Sequence, residues 1–331
     1  MFVHIHNPNQ PALRRAFTLV ELLMVIMLIG IMTSFVLVAL AGAARTAQED
    51  RTKAQILKIH ELIMENWEQY RYRRVPQTRL MREITNRPAT GRQTQVMALE
   101  RLNALRELMR MEMPSFMLDV TTPASKLRDM LTNQPYQPSV WRAYNRRAAA
   151  ASWTVQYQDA ECLYLILSQI RDADSSALEF FKESEITDLD GDGMKEIVDA
   201  WGNPIRWMLW APSYISPLQV PMSVDDQQQD PFDIATVGQA YDDRKNRNNI
   251  PDAFEGEYWE LPRMLYPLIY SAGPDGKHGI VLEVNDGAMS WSEAFNNPYD
   301  RTTGLHLLGA VSELNPDALA DDISNHYLTT R

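Results

Sequence analysis

Cysteine occurs once in the 331 residues, at Cys162. One thiol excludes an internal disulfide framework and a thiolate zinc cluster. Histidine is scarce as well. The six residues are scattered, and no His-Glu-x-x-His, Gly-x-Ser-x-Gly or Walker-type phosphate loop is present. Carboxylates are plentiful near the C-terminus, but nothing selects one pair for hydrolysis over another. On these grounds the chain is expected not to be an enzyme. Low-complexity segments and solenoid repeats are missing too, and a hydrophobic content of 45% is that of a folding chain. Basic residues are the minority, 32 against 43 acidic, and the net charge of −11 argues against a general nucleic-acid binder. The imbalance is local. Residues 45–113 carry 14 Lys/Arg against 9 Asp/Glu, whereas 188–331 carry 9 against 24, which indicates two regions with different roles.

Residues 16–44 hold a single charge, Glu21, and no proline. This run exceeds the roughly 20 residues that cross a bilayer core as a helix. A secretory signal has a shorter apolar stretch followed by a small-residue cleavage site; here the small residue, Ala16, precedes the run. Arg14 and Arg15 lie before the span and Arg45, Arg51 and Lys53 after it, so positive charge alone orients it poorly. A carboxylate at depth in such a helix costs about 2.5 kcal/mol or more and is normally paired or functional. The plain alternative is a signal anchor whose glutamate sits in the headgroup layer.

The run Arg14-Arg15-Ala16-Phe17-Thr18-Leu19-Val20-Glu21-Leu22-Leu23 resembles the processing site of type IV prepilins and type II secretion pseudopilins. The resemblance implies a leader of residues 1–16, cut between Ala16 and Phe17 by a prepilin peptidase that methylates the new N-terminus. It also implies that Glu21 meets the N-terminal amine of a neighbouring subunit in a filament, relieving a carboxylate buried among apolar helices. Two positions depart from the family. Ala16 stands where glycine is usual, and Val38 where many members carry a helix-loosening proline.

Beyond the span, Ile56, Ile59, Ile63, Trp67 and Tyr70 recur at spacings of three and four, an amphipathic stripe. Glycine and proline are absent from 43 to 75, so one helix about 84 Å long is expected over 17–72, its later part lying on a globular head. Residues 76–92 read as a polar loop. Helical patterns at 94–113, 124–133, 139–151 and 159–183 make 76–185 a mostly helical insertion, with Cys162 as a core thiol. From 197 onward short β-prone runs take over, 205–210 and 265–271 the clearest, and Pro267 places the second at an edge or bulge. Residues 221–256 read as a long acidic loop, and the tail after Pro316 as mobile.

Asp188, Asp190, Asp192, Glu196 and Asp199 fall at positions 1, 3, 5, 9 and 12 of a loop with Gly193 at position 6. That is the spacing of a calcium loop, in which alternate residues turn inward and the glycine permits the bend. Met194 at position 7 would give its carbonyl. Closure on Asp199 rather than glutamate makes the loop similar to dockerin-type loops, while Lys195 at position 8 departs from the pattern. A solvated Asp/Gly turn is the alternative, but so many carboxylates in one loop repel one another without a cation. Two further pieces extend the family resemblance. The segment Asp199-Ala200-Trp201-Gly202-Asn203-Pro204 is similar to one in the major type II pseudopilin. The segment Tyr270-Ser271-Ala272-Gly273-Pro274-Asp275-Gly276 looks like the entry to that family's calcium loop. The resemblance implies Asp275 and Asp286 as further ligands, with turn chemistry the alternative, and calcium in place of the disulfide that clamps many pilins.

The expected fold is α+β and pilin-like: a leader over 1–16, a transmembrane helix over 17–44, its amphipathic continuation over 45–75, the helical insertion over 76–185 and a β-rich calcium-loop head over 186–331. The expected role is a structural subunit of a type II secretion-like pseudopilus. Such a subunit crosses the inner membrane once, exports its head to the periplasm and assembles with other pilin-like subunits on an inner-membrane platform. One alternative is a minor type IV pilin for adhesion or DNA uptake, in which the ten arginines set against three glutamates in 71–110 would face phosphates. The net charge favours a solvated or partner-pairing face for that stretch. The other alternative is a membrane-anchored exported enzyme.

Overall fold

A computed structural model describes residues 18–86, 91–129, 132–172, 175–219, 230–233, 237, 264–282, 296–299, 304–312 and 315–328. The expected processing residues Ala16 and Phe17 lie outside this set, as do Asp286 and most of the expected acidic loop. The chain divides into two compact units, Met1–Gln48 and Glu49–Arg331. Helix α1, Leu19–Gln69, begins in the first and ends in the second, and a 3-10 turn at Tyr70–Tyr72 finishes it.

Thr18 and Glu21 start α1 together. The Glu21 N–H donates to Thr18 Oγ1 at 3.2 Å, and Glu21 Oε2 accepts from the Thr18 N–H at 2.9 Å and its hydroxyl at 3.0 Å. This reciprocal arrangement satisfies donors that a helix start otherwise leaves open. In the first unit the large apolar side chains from Leu19 to Leu40 are exposed. The hydroxyls of Thr33 and Ser34 donate to the carbonyls of Ile29 and Gly30, at 2.7 and 2.9 Å. Polar groups inside the apolar run are thus bonded within the helix, as a lipid environment demands. This helix is long and apolar enough to cross a membrane.

In the second unit the remainder of α1 turns its stripe inward: Ile56, Ile59, Leu62, Ile63 and Trp67 are all buried. Trp67 meets Phe232 edge-on at 4.9 Å and Tyr266 at 5.1 Å between ring centroids. Polar residues on the same face bind the head directly. The Ala200 N–H donates to Thr52 Oγ1 at 3.2 Å, and Arg51 pairs with the buried Glu185 at 2.6 Å. Burying this stripe contributes on the order of 1.5–3 kcal/mol per large side chain, which fixes the helix on the head.

The expected insertion contains α2 (Arg79–Thr85), α3 (Gly91–Glu112), α4 (Met117–Thr121), α5 (Ser139–Ala148) and α6 (Gln158–Gln169). Every residue of α6 from Gln158 to Leu167 is buried, which explains why its sequence shows little amphipathic period. No helix forms among the described residues of the expected 124–133 segment. There the buried Glu107 carboxylate on α3 accepts the N–H groups of Ser125, Lys126 and Leu127, at 2.8, 3.1 and 2.7 Å. The chain then turns back, with Tyr136 N–H on Leu127 O and Asp129 N–H on Gln134 O, both 2.8 Å. After α6 the expected continuing helix gives way to a small hairpin, β1 (Arg171–Asp172) with β2 (Ser175–Ser176). Its successor is a 3-10 turn at Ala177–Phe180.

Two further antiparallel elements complete the unit. Strands β3 (Ile186–Thr187) and β4 (Glu196–Ile197) form a hairpin with Ile186 opposite Ile197 and Thr187 opposite Glu196. Strands β5 (Arg206–Met208), β6 (Leu268–Ser271) and β7 (Ile323–Ser324) form a three-stranded sheet in the order β5-β6-β7, with Trp207 opposite Ile269 and Tyr270 opposite Ser324. Pro267 directly precedes the central strand, so its missing donor disturbs no ladder. The tail differs from expectation: it is docked rather than loose. It supplies β7 and then a short helix α7 (Asn325–Leu328), in which Asn325 and His326 are fully buried. Asn325 Oδ1 accepts the Ile269 N–H at 2.9 Å and its amide donates to Pro267 O at 3.0 Å. Gly273 makes the docking sterically feasible. Its φ is +63°, and a Cβ there would lie 2.3 Å from Asp321 O.

Candidate metal centre

The acidic motif at 188–196 is the connection of the β3–β4 hairpin, so strands rather than helices hold its ends. Aspartates terminate the local N–H groups. Asp188 Oδ1 and Oδ2 accept from Gly191 and Gly193 at 2.7 and 3.0 Å, and Asp192 Oδ1 accepts from Met194 at 2.8 Å. Gly193, at the position expected to bend, has φ +97°. Glu196 leaves the loop on β4 fully buried, its Oε2 accepting the Leu189 N–H at 2.9 Å.

Two other segments close on this loop. The strap 151–157, between α5 and α6, lies along it. The Ser152 N–H donates to Asp192 O at 2.8 Å, the Thr154 N–H to Asp192 Oδ2 at 2.7 Å, and the Thr154 hydroxyl to Asp190 Oδ2 at 3.0 Å. Helix α6 then brings Glu161, fully buried, whose Oε2 accepts a hydrogen bond from the Trp153 indole N–H. Carboxylate oxygens of Glu161, Asp190 and Asp192 lie within 4.8 Å of one another, and so do those of Asp188, Asp190 and Glu196. Asp190 belongs to both sets.

Electrostatics make this grouping costly without a cation. Burial, reinforced by Asp192, Glu196 and Asp190, pushes the Glu161 carboxyl up to about 9 against the opposing Trp153 bond. Burial, with Asp190, Asp188 and Asp192 adding to it, pushes Glu196 up to about 7. Glu161 Oε1 and Glu196 Oε1 are both buried without a hydrogen-bond partner among the described residues. Buried carboxylate oxygens normally find a donor or a cation. The cluster could hold a metal ion.

Asp199 and Asp275 lie outside the two clusters. Asp199 is drawn into the sheet: its Oδ1 accepts from Trp201 and Asn203 at 2.8 and 2.9 Å, and its Oδ2 from the Ser271 hydroxyl at 2.6 Å. Met194 stays within the loop, buried, its N–H donating to Asp192 Oδ1. Asp275 sits exposed in the turn after β6, its Oδ1 accepting the Lys277 N–H at 2.8 Å. Glu161 carries no local signal in the sequence, because it falls within a buried helix far from the loop.

A long apolar N-terminal helix laid on small antiparallel sheets, with a helical insertion between them in sequence, is a pilin-like architecture. No family model, curated protein or solved structure matches the chain.

Proposed function

We propose that the chain is a filament subunit of the type IV pilin class, specifically of a type II secretion-like pseudopilus. One observation carries the reading: α1 continues unbroken from an exposed apolar segment into a stripe buried in the second unit. Exposed apolar surface on that scale requires lipid or other apolar helices around it. A subunit that waits in the inner membrane and is then extracted into a helical bundle meets both needs in turn. The assembly partners are a prepilin peptidase, other pilin-like subunits and an inner-membrane platform, and the work done is mechanical. The head's cation is calcium, since the centre offers only carboxylate oxygens, the hard donor set that calcium takes. Binding at the centre favours the folded head by mass action.

Glu21 provides the test, and its capping role has to be separated from its charge. Glu21→Gln keeps an oxygen that can cap Thr18 while removing the charge. The variant is expected to enter the membrane at wild-type level and to yield no filaments in the sheared fraction when coexpressed with an assembly system. Filaments at wild-type yield would reduce Glu21 to a helix cap and remove the main support for subunit pairing.

A further inference from the structure

We propose that Glu161 is the closing ligand of the cation centre, and that the cation latches the strap 151–157 and the start of α6 to the β3–β4 loop. The proposal rests on reading the acidic cluster as a cation site, and adds to it which side chain completes the site and what its occupancy controls. In the sequence pattern the loop closes on its twelfth residue, Asp199. In the fold that carboxylate is spent on Trp201, Asn203 and Ser271. The vacancy in the ligand set is filled from outside the loop. Glu161 is fully buried, its Oε1 lacks a hydrogen-bond partner among the described residues, and its carboxylate shares the 4.8 Å cluster with Asp190 and Asp192.

The same three acids hold the strap. Asp190 and Asp192 take the Thr154 hydroxyl and N–H, Asp192 O takes the Ser152 N–H, and Glu161 takes the Trp153 indole. A cation that draws Glu161 towards Asp190 and Asp192 therefore clamps both ends of this short segment. At its far end Tyr157 enters α6 with φ +60°, a conformation uncommon outside glycine and kept only where surroundings enforce it. Without the cation, nothing ties Glu161 to Asp190 and Asp192, and the strap and the first turn of α6 loosen together. Calcium occupancy would thereby be transmitted from the hairpin into the helical insertion rather than remaining local to one loop.

Trp153 makes the idea measurable, because an indole bonded to a ligand carboxylate is a built-in antenna for terbium, a luminescent calcium substitute. The full-length chain in detergent micelles is titrated with Tb3+ under tryptophan excitation, with calcium as competitor and calorimetry as an independent binding readout. Saturable, calcium-displaceable emission is expected, with most of it lost in Trp153→Phe although calorimetric binding persists. Glu161→Gln, whose amide oxygen can still accept the Trp153 bond, should weaken Tb3+ binding by about tenfold or more. In the unaltered chain, Tb3+ should also slow amide hydrogen exchange over 151–158, which needs no variant to fold. No saturable binding by either readout would overturn the cation reading itself. Binding that Glu161→Gln leaves unchanged, or that leaves exchange over 151–158 unchanged, would keep the cation site and overturn the latch.

Discussion

Replacing Asp119 with alanine is expected to cost the head about 3–5 kcal/mol, the range for breaking one side of a buried ion pair. Asp119 is 1% exposed and Arg110 3%. One oxygen of Asp119 takes two guanidinium N–H groups of Arg110, from Nε at 2.9 Å and from Nη2. The other oxygen accepts the N–H groups of Ser115 and Phe116, at 3.0 and 3.1 Å. Removing the carboxylate thus strips a buried cation of its counter-ion and opens two backbone donors at the start of α4, each a penalty of its own. Burial already lowers the Arg110 pKa, with Asp119 the main opposing influence. Domains of this kind are stable by only about 5–15 kcal/mol, so the variant should shift the urea midpoint markedly. A loss below about 1 kcal/mol would show that the pair is structurally incidental.

The second large effect is the response to acidification that His326 contributes. The imidazole is fully buried between the Ser216 hydroxyl, 2.8 Å from Nδ1, and the Pro267 carbonyl, 3.0 Å from Nε2. A carbonyl can only accept, so Nε2 carries a proton, and in the neutral ring Nδ1 accepts from the Ser216 hydroxyl. Burial pushes the His326 pKa down to about 4; the Pro267 bond opposes this and His60 adds to it. The unfolded histidine titrates near 6.5, so the unfolded state binds more protons between those two values. Stability from this residue is complete above about pH 6.5 and disappears as pH falls towards 4, a change of about 3 kcal/mol. His278, also lowered to about 4 by burial and by Arg206, acts in the same direction. Asp322 and Glu196, raised to about 7 by burial, and Glu161, raised to about 9 by burial, act oppositely, losing their contributions as pH rises, so only the difference between variant and wild type reports the histidine. A comparison of unfolding midpoints for the wild type and His326→Gln at about pH 7 and about pH 5 isolates the histidine. On going from the higher to the lower pH, the stability of the wild type relative to the variant should fall. Parallel losses would contradict the assignment.

The parts of this fold that could be read in advance are those whose signal is local. An uncharged run and a three-four stripe with no glycine or proline between them suffice to foresee α1, and its continuity follows from the same stretch. Strands β5 and β6 and the bend at Gly193 were legible for similar reasons. So, in principle, was the cap on α1, because Thr18-x-x-Glu21 is itself a capping-box spacing. What stayed hidden depends on distant partners. Glu107 keeps the described residues 125–127 out of a helix by taking their backbone donors from another element. The tail looked loose because its own residues are few and polar, whereas Pro267, Ile269 and the gap left by Gly273 hold it in place. Asp199 fits the loop spacing but hydrogen-bonds to Ser271, and Glu161 joins the acidic cluster from a helix whose sequence reads simply as core.

The central claim is that α1 belongs to a processed, assembling subunit, and the intact mass of the membrane form tests it most directly. Expressed with a prepilin peptidase, the chain is expected to lose residues 1–16 and gain one methyl group, beginning at Phe17; expressed without the peptidase, it should keep its full mass. The same full-length mass under both conditions would contradict the account and leave α1 as an ordinary membrane anchor.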